Sequence, residues 1–287
     1  MRLVNFKRGR DSAIGVRSAA GLVDLSVAAP DLPRDMIGLL TAGKGAMAKA
    51  ARAARRPPEK AIVKGRLSYL PPIANPGKII CVGLNYSDHA AEAKLTPPDY
   101  PVLFMRTPAS LVGHRQALIR PKASKHFDYE AELVVVIGKA GRRIPKARAL
   151  DHVAGYTIAN EGSIRDYQMR TSQWTIGKNF DASGSIGPEL VTPDELPKGA
   201  TGLKIETRLN GKVLQYSTTA SMIFDVATLI KEASTIFTLE PGDIFITGTP
   251  AGVGFVRKPP IFMKPGDTCE IEIGGIGVLS NPIKAER

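Results

Sequence analysis

The chain has 287 residues, enough to bury a large core and to form one large domain with a smaller one attached. Its 43% hydrophobic and 23% charged residues are typical of a globular protein, and no apolar run reaches the ~20 residues needed to cross a bilayer. Most of the formal charge of +12 lies in the first 66 residues, where the basic stretch AGKGAMAKAARAARRPPEK has no aromatic side chain to stack on bases; a solvated helix is therefore the favoured interpretation over a nucleic-acid site.

The N-terminal part predicts a small α/β domain. Residues 1–30 contain short apolar pieces separated by Gly-rich turns, which is typical of a β-meander. The Ala-rich segment AGKGAMAKAARAARR predicts a helix that the following prolines end. LPPIANPGK, with three prolines and a glycine, is the best linker candidate. We therefore predict a first domain over residues 1–70 and a second over 71–287.

The second part is rich in predicted strands. KIICVGLNY reads as a buried strand that runs into a loop, and SDHAAEAK as a short helix after it. LNGKV predicts a tight hairpin, because Asn-Gly tolerates positive φ at both central positions. SMIFDVATLIKEAST, residues 221–235, has helical apolar spacing. Since strands do not alternate regularly with helices, the pattern favours an α+β fold with a mixed β-roll over a Rossmann type.

The segment FDYEAELVVVIG places two carboxylates at the head of a buried run. Glu130 and Glu132 are two residues apart, so both face the same side of a strand. Like charges entering a core are costly unless a cation lies between them. Either a divalent metal binds there, or the strand end reaches solvent. Glu161, which follows the apolar strand VAGYTIAN, could join them, and carboxylates alone suit Mg²⁺ or Mn²⁺.

Five segments of the second part carry a family resemblance. They are KIICVGLNYSDHAAE, DYEAELVVVIG, GYTIANEGSIRDYQ, WTIGKNFD and GDIFITGTPAGVG. Taken in order, they resemble the fumarylacetoacetate hydrolase family over roughly residues 75–285. The resemblance implies a mixed β-sandwich roll, a catalytic Mg²⁺ or Mn²⁺, a homodimer and a small anionic oxo-acid substrate.

The resemblance also implies the metal ligands. Glu130 and Glu132 match the Glu-x-Glu pair of the family, and Glu161 matches the third ligand. The family most often has Asp at that third position, so the extra methylene of Glu161 lengthens the reach by about one C–C bond. We expect Glu161 to bind the metal directly.

His89 and Glu92 match the catalytic pair of the family. Residues three apart share a helix face, so the carboxylate can orient the imidazole or help to activate water. Lys178 matches a lysine that reaches the metal-bound substrate. The residues predicted to contact substrate are Arg165, Gln168, Gly248, Thr249 and Arg106, the last at a position where many relatives carry Lys.

The favoured hypothesis is a hydrolase acting on carbon–carbon bonds of an acylpyruvate or 2,4-dioxo acid, fumarylpyruvate-like or sugar-derived, in aromatic or sugar acid catabolism. The metal would chelate two substrate oxygens, Glu92 and His89 would activate water, and Lys178 would stabilise the departing pyruvate enolate. The alternative, an oxaloacetate decarboxylase or 2-hydroxy-diene-dioate isomerase, uses the same enolate without water attack. The third hypothesis is a nucleic-acid or partner-binding protein without catalysis. The acidic residues at all three predicted metal positions argue against it.

The location and partners are also predicted. Cys81 and Cys269 provide no disulfide framework, and the first residues lack the apolar region of a signal peptide, so a reducing cytoplasm is the simplest interpretation. We expect neither nucleic-acid nor membrane partners.

Overall fold

The structure is a computed structural model that describes residues 1–92, 96 and 98–287, and only the backbone of residues 89–91. Its strands are β1 Arg2–Arg8, β2 Asp11–Ser18, β3 Gly21–Asp24, β4 Ile79–Gly83, β5 Val102–Met105, β6 Leu111–Val112, β7 Leu118–Arg120, β8 Phe127–Asp128, β9 Ala131–Ile137, β10 Val153–Asn160, β11 Ser163–Ile164, β12 Gly184–Val191, β13 Lys204–Leu209, β14 Lys212–Thr218, β15 Ile244–Ile246, β16 Thr268–Ile273 and β17 Gly277–Ala285. Its helices are α1 Leu25–Ala28, α2 Met36–Thr41, α3 Gly43–Arg55, α4 Ser87–Glu92, α5 Arg165–Gln168, α6 Thr175–Lys178 and α7 Val226–Ile236.

A large mixed sheet has the strand order β3-β2-β1-β12-β10-β9-β15-β4-β5, and β6 pairs with β12. Strand β9 lies inside this sheet, antiparallel to both β10 and β15. Every residue of Ala131–Ile137 is buried. The run LVVVI therefore lacks polar alternation because both faces of the sheet are covered there.

Successive side chains of β9 enter two different cores. Leu133 and Val135 pack in a core that also contains α7 residues and apolar residues of β13 and β16. Val134 and Val136 pack on the opposite face, in a core that includes side chains of α2 and α3. The strand is thus held from both sides, which fixes its register and the direction of every side chain along it.

The smaller sheet has the order β14-β13-β16-β17-β7. Its hairpin β13–β14 turns at Asn210 and Gly211, whose φ values are +51° and +82°, so the predicted Asn-Gly turn is confirmed. Ile205 and Ile271 of this sheet share the core of Leu133. Two sheets packed on a common core confirm the predicted strand-rich α+β roll.

The predicted N-terminal elements are present. Strands β1, β2 and β3 form an antiparallel meander, and the Ala-rich helix is α3, Gly43–Arg55. Strand β1 also pairs with β12, through Arg2 opposite Val191, so the N-terminal strands extend the large sheet. The division into 1–70 and 71–287 stays a prediction.

Helix α7 begins later than its apolar spacing indicates. The pattern starts at Ser221, whereas the helix starts at Val226, because the carboxylate of Asp225 accepts a hydrogen bond from the amide of Thr228 and caps it. Among the described residues, we find no helix with the length and apolar character of a membrane span.

Candidate active site

Two neighbouring strands bring three carboxylates together. Glu130 and Glu132 flank Ala131, at the beginning of β9, and Glu161 follows β10; the amide of Glu161 donates to the carbonyl of Glu130 at 2.9 Å. All three side chains are buried, and one carboxylate oxygen of each lies within 4.8 Å of the others. We call Glu130, Glu132 and Glu161 the acidic centre. The sequence predicts the pair Glu130 and Glu132 from strand periodicity, and it adds Glu161 because this residue follows a second apolar strand.

Two buried cations contact the acidic centre. Lys178, the last residue of α6, donates to Glu130 and, at 2.9 Å, to Glu161. Arg165, the first residue of α5, contacts Glu130 at 2.7 Å and donates to Asp128 at 2.8 Å. Burial lowers the pKa of Lys178, but the charges of Glu130 and Glu161 outweigh it, and the net shift is upward. Lys178 therefore stays protonated.

The charges of this buried group do not balance. Asp128 and the acidic centre carry four carboxylates, whereas Lys178 and Arg165 supply two positive charges. Burial raises the pKa of Glu132, and the charges of Glu161 and Glu130 raise it further. One dication would bring the group to neutrality.

An unsatisfied oxygen also fits a metal. Oε1 of Glu161 is buried and, among the described residues, meets no donor with hydrogen-bonding geometry. Buried carboxylate oxygens without donors are costly, and a hard dication such as Mg²⁺ or Mn²⁺ satisfies them. The three side chains of the acidic centre therefore suit a divalent metal.

The loop after β15 approaches the acidic centre through its backbone. The amide of Gly248 donates to Oε2 of Glu132 at 2.5 Å, so this amide holds the Glu132 carboxylate rather than facing the cavity. Gly248 has φ of +105°, and a Cβ there would lie 2.7 Å from Cβ of Asn85, so only glycine fits. Thr249, the next residue, lines the cavity as predicted for a substrate contact.

The predicted catalytic pair lies on α4. The carboxylate of Glu92 faces the cavity and accepts from the amide of Gly252 at 2.9 and 3.2 Å. The side chain of His89 lies outside the described residues, so its role stays a prediction.

The predicted substrate-binding arginines differ in position. Arg165 and Gln168 both line the cavity, and Arg165 donates to Oε1 of Gln168 at 2.9 Å. Arg106 instead lies behind it: its guanidinium donates to the hydroxyls of Ser110 and Ser183 and to the carbonyl of Gly162, at 3.0–3.1 Å. Arg106 thus braces the backbone next to Glu161 in this structure.

A cavity of about 450 Å³ joins these groups. Its floor is polar and contains the acidic centre, Lys178 and Arg165, while its walls are largely apolar. The wall residues include Val82, Leu84, Phe104, Trp174, Val253 and Phe255. A volume of this size suits a small organic ligand.

Asp128 organises the site, although sequence reasoning did not select it. Its carboxylate accepts from Arg165 and from the amides of Gly254 and Phe255, at 2.8–2.9 Å, so it ties α5 to the Gly-rich loop. A signal was available, because Asp128, Glu130 and Glu132 are alternate residues and so face one side of the chain.

Gln215 of β14 is a second residue that sequence reasoning missed. Its Oε1 accepts from the amide of Ala131 at 3.0 Å and from the hydroxyl of Thr207 at 2.7 Å. Its Nε2 donates to Oγ1 of Thr249 at 2.8 Å and to the carbonyl of Pro250 at 2.9 Å. Because Oγ1 of Thr249 is an acceptor in this bond, its own proton is free to point into the cavity.

The chain is similar to proteins of known family along its whole length. Residues 78–284 match the model of the family described as Fumarylacetoacetate (FAA) hydrolase C-terminal. Oxaloacetate tautomerase Fahd2a, mitochondrial, of Rattus norvegicus is 42% identical over 294 residues, which cover 99% of this chain and 91% of the relative.

Two solved structures extend the comparison. Fumarylacetoacetate hydrolase (EaFAH) from psychrophilic Exiguobacterium antarcticum has a TM-score of 0.86 and 34% identity, with 100% of both chains covered. The 2-hydroxyhepta-2,4-diene-1,7-dioate isomerase from Mycobacterium marinum has a TM-score of 0.72 and 31% identity, with 100% of this chain and 99% of that one covered. The similarity therefore includes the N-terminal strands and helices.

Proposed function

The chain belongs to the fumarylacetoacetate hydrolase family, and from this premise we propose that it interconverts the enol and keto forms of oxaloacetate. The observation that carries the proposal is that one cavity contains the acidic centre, Lys178 and Glu92. The 42% identity to an oxaloacetate tautomerase over 99% of this chain supports the choice of reaction. These findings support the alternative prediction, which is enolate chemistry on oxaloacetate or a 2-hydroxy-diene-dioate without water attack, better than acylpyruvate hydrolysis.

The acidic centre would hold a divalent metal, Mg²⁺ or Mn²⁺. A bound dication would supply positive charge for the carboxylate and the 2-oxo oxygen of the substrate, which favours enolisation. Lys178 contributes a fixed positive charge beside this position. Because it stays protonated, it donates a hydrogen bond to the oxygen on which negative charge develops.

Glu92 is the group to which we assign the proton transfer. Tautomerisation moves one proton between the enol oxygen and the adjacent carbon C3, so a single carboxylate can accept it from one atom and deliver it to the other. The Gly252 amide holds Glu92 in the cavity. His89 is the predicted partner that would orient this carboxylate.

Thr249 and Gln168 are assigned to binding of the substrate carboxylates. Because Oγ1 of Thr249 accepts a hydrogen bond from Gln215, the Thr249 hydroxyl can donate to the cavity. The side-chain oxygen of Gln168 accepts from Arg165, so its NH₂ group can donate to an anion. A small dianionic oxo acid can therefore find neutral donors in addition to the cations.

A parallel assay tests the proposed reaction. We expect the protein with Mg²⁺ or Mn²⁺ to accelerate the disappearance of the oxaloacetate enol, followed by its ultraviolet absorbance. Little pyruvate should form on the same timescale. Acylpyruvates and a 2-hydroxy-diene-dioate serve as competing substrates. Pyruvate release from an acylpyruvate with the larger kcat/KM would instead favour hydrolysis, and pyruvate equal to the oxaloacetate lost would favour decarboxylation.

Replacing Gln215 tests how the loop after β15 is positioned. Gln215→Leu removes the donor to Thr249, so we expect kcat/KM to fall about tenfold to a hundredfold. It also removes the acceptor for the amide of Ala131, but β9 remains paired with β10 and β15, so divalent-metal affinity should be retained. Loss of the buried hydrogen bonds costs about 2 kcal/mol of the free energy of unfolding.

Gln116→Leu is the matched control. Gln116 also bonds two backbone groups, the amide of Gly113 and the carbonyl of Tyr69, but it does not line the described part of the cavity. It should lower stability similarly and leave kcat/KM unchanged. Equal kinetic losses in both variants would mean that Gln215 acts through stability alone.

The homodimer and the cytoplasmic location that the sequence predicted are kept as proposals, as is the lack of nucleic-acid and membrane partners. The relative from Rattus norvegicus is described as mitochondrial, which concerns that protein.

A further inference from the structure

Two aromatic side chains, Phe104 and Trp174, form one wall of the cavity next to Lys178. Nζ of Lys178 lies 5.4 Å from the ring centroid of Phe104, and Trp174 packs edge-on against Phe104 with centroids 5.7 Å apart. Trp174 also lies directly on Gly83, where a Cβ would come within 2.1 Å of its ring. Glycine at this position of β4 therefore makes room for the indole ring beside the cavity.

A second group of apolar side chains also lines the cavity. Phe255 lies 5.9 Å from the guanidinium of Arg165 and is 41% exposed, and Val253 and Val256 continue the wall along the Gly-rich loop. Each of the two cations of the polar floor thus has an aromatic side chain next to it. A ligand that reaches beyond the floor meets hydrocarbon and aromatic surface.

The cations of the floor are already engaged. Arg165 contacts Asp128 and Glu130, and Lys178 contacts Glu130 and Glu161. Among the cavity-lining residues that the structure describes, Arg165 and Lys178 are the cationic ones. An apolar group between the apolar walls would be stabilised by burial, because its hydrocarbon surface is removed from water.

We propose that the same centre tautomerises 2-oxo acids that carry an aryl group on C3, an inference that rests on the proposed function. The carboxylate and the 2-oxo oxygen lie at the polar floor, and the aryl ring packs against Phe104 and Trp174. The step is balanced: the enol O–H bond breaks, the C3–H bond forms, and no electrons leave or enter the substrate. Glu92 carries the proton, as for oxaloacetate.

The enol of phenylpyruvate is the probe, used with the Mg²⁺-loaded full chain and with oxaloacetate in parallel. We expect the protein to accelerate loss of the phenylpyruvate enol above its spontaneous rate. Trp174→Ala should lower the ratio of kcat/KM for phenylpyruvate to that for oxaloacetate about tenfold, because the aryl ring loses its aromatic partner. If Trp174→Ala does not fold, Phe104→Leu replaces it as the test. This variant keeps an apolar side chain and should also lower the ratio.

Tyr216→Ala is the control, since this exposed aromatic residue of β14 does not line the described part of the cavity and its removal should leave the ratio unchanged. Turnover of oxaloacetate without phenylpyruvate would overturn the aryl inference and leave the proposed function intact. Turnover of phenylpyruvate alone would refute oxaloacetate as substrate and support the aryl site. Turnover of neither would refute both, and an unchanged ratio in folded wall variants would overturn the assigned position of the ring.

Discussion

Glu161→Gln is expected to abolish divalent-metal binding and to lower turnover of the oxaloacetate enol about a thousandfold. The substitution keeps the size of the side chain but removes one negative charge from the acidic centre and replaces a carboxylate oxygen by an NH₂ group, which repels a cation. A dication supplies several kcal/mol of charge stabilisation to enolisation, and a thousandfold loss corresponds to about 4 kcal/mol. Calorimetric titration with Mg²⁺ and Mn²⁺ gives the affinity, and the enol assay gives the rate.

Two variants accompany this experiment. Glu189→Gln changes another buried glutamate, which pairs with Arg17, and should retain metal binding and turnover. Glu161→Asp keeps a carboxylate on a side chain that is one methylene shorter, so it should retain metal binding. Normal metal affinity in a folded Glu161→Gln variant would remove Glu161 from the ligand set.

Lys178→Met is expected to lower kcat about a hundredfold without weakening divalent-metal binding. Methionine has a similar length but no charge, so the enolate oxygen loses a donor in a buried site, which is typically worth about 10²–10³ in rate. Lys178 also donates to Glu130 and Glu161, two of the proposed metal ligands. Because a metal competes with Lys178 for these oxygens, its removal should maintain or raise the affinity for Mg²⁺.

Lys204→Met is the matched control for this substitution. Lys204 is more exposed and pairs with Glu272 at 2.6 Å, in the smaller sheet, so its loss should leave both kcat and metal affinity unchanged. A large fall of metal affinity in Lys178→Met would contradict the competition between lysine and metal. An unchanged kcat would remove Lys178 from the reaction.

Short-range patterns predicted a substantial part of the site. The spacing of Glu130 and Glu132 placed both carboxylates on one side of the chain, and a second apolar strand ending at Glu161 completed the group. Because β9 and β10 are antiparallel neighbours, the beginning of one strand lies beside the end of the other. The resemblance to a family then supplied Lys178, which no local pattern connects to these carboxylates.

The remaining parts of the site could not be predicted from the sequence, because they depend on contacts between residues that are distant along the chain. Gln215 reaches residues 84 and 34 positions away, at Ala131 and Thr249, and nothing around it in β14 indicates such partners. Arg106 illustrates the same limit: a cationic residue near a predicted site is easily assigned to substrate, but its direction depends on Ser183 and Gly162, which are distant in sequence. The pairing of β1 with β12 likewise joins segments that no periodicity relates.

The attachment of the Thr249 loop to β14 separates two properties of this protein. The proposed metal ligands lie in or next to β9 and β10 of the large sheet, whereas the Thr249 loop is held by the side-chain amide of Gln215, which belongs to the small sheet. Ion capture would therefore depend mainly on the large sheet, whereas turnover would depend on both sheets. A chain whose small sheet had shifted should still bind the proposed metal, yet it would present the substrate with a misplaced hydroxyl.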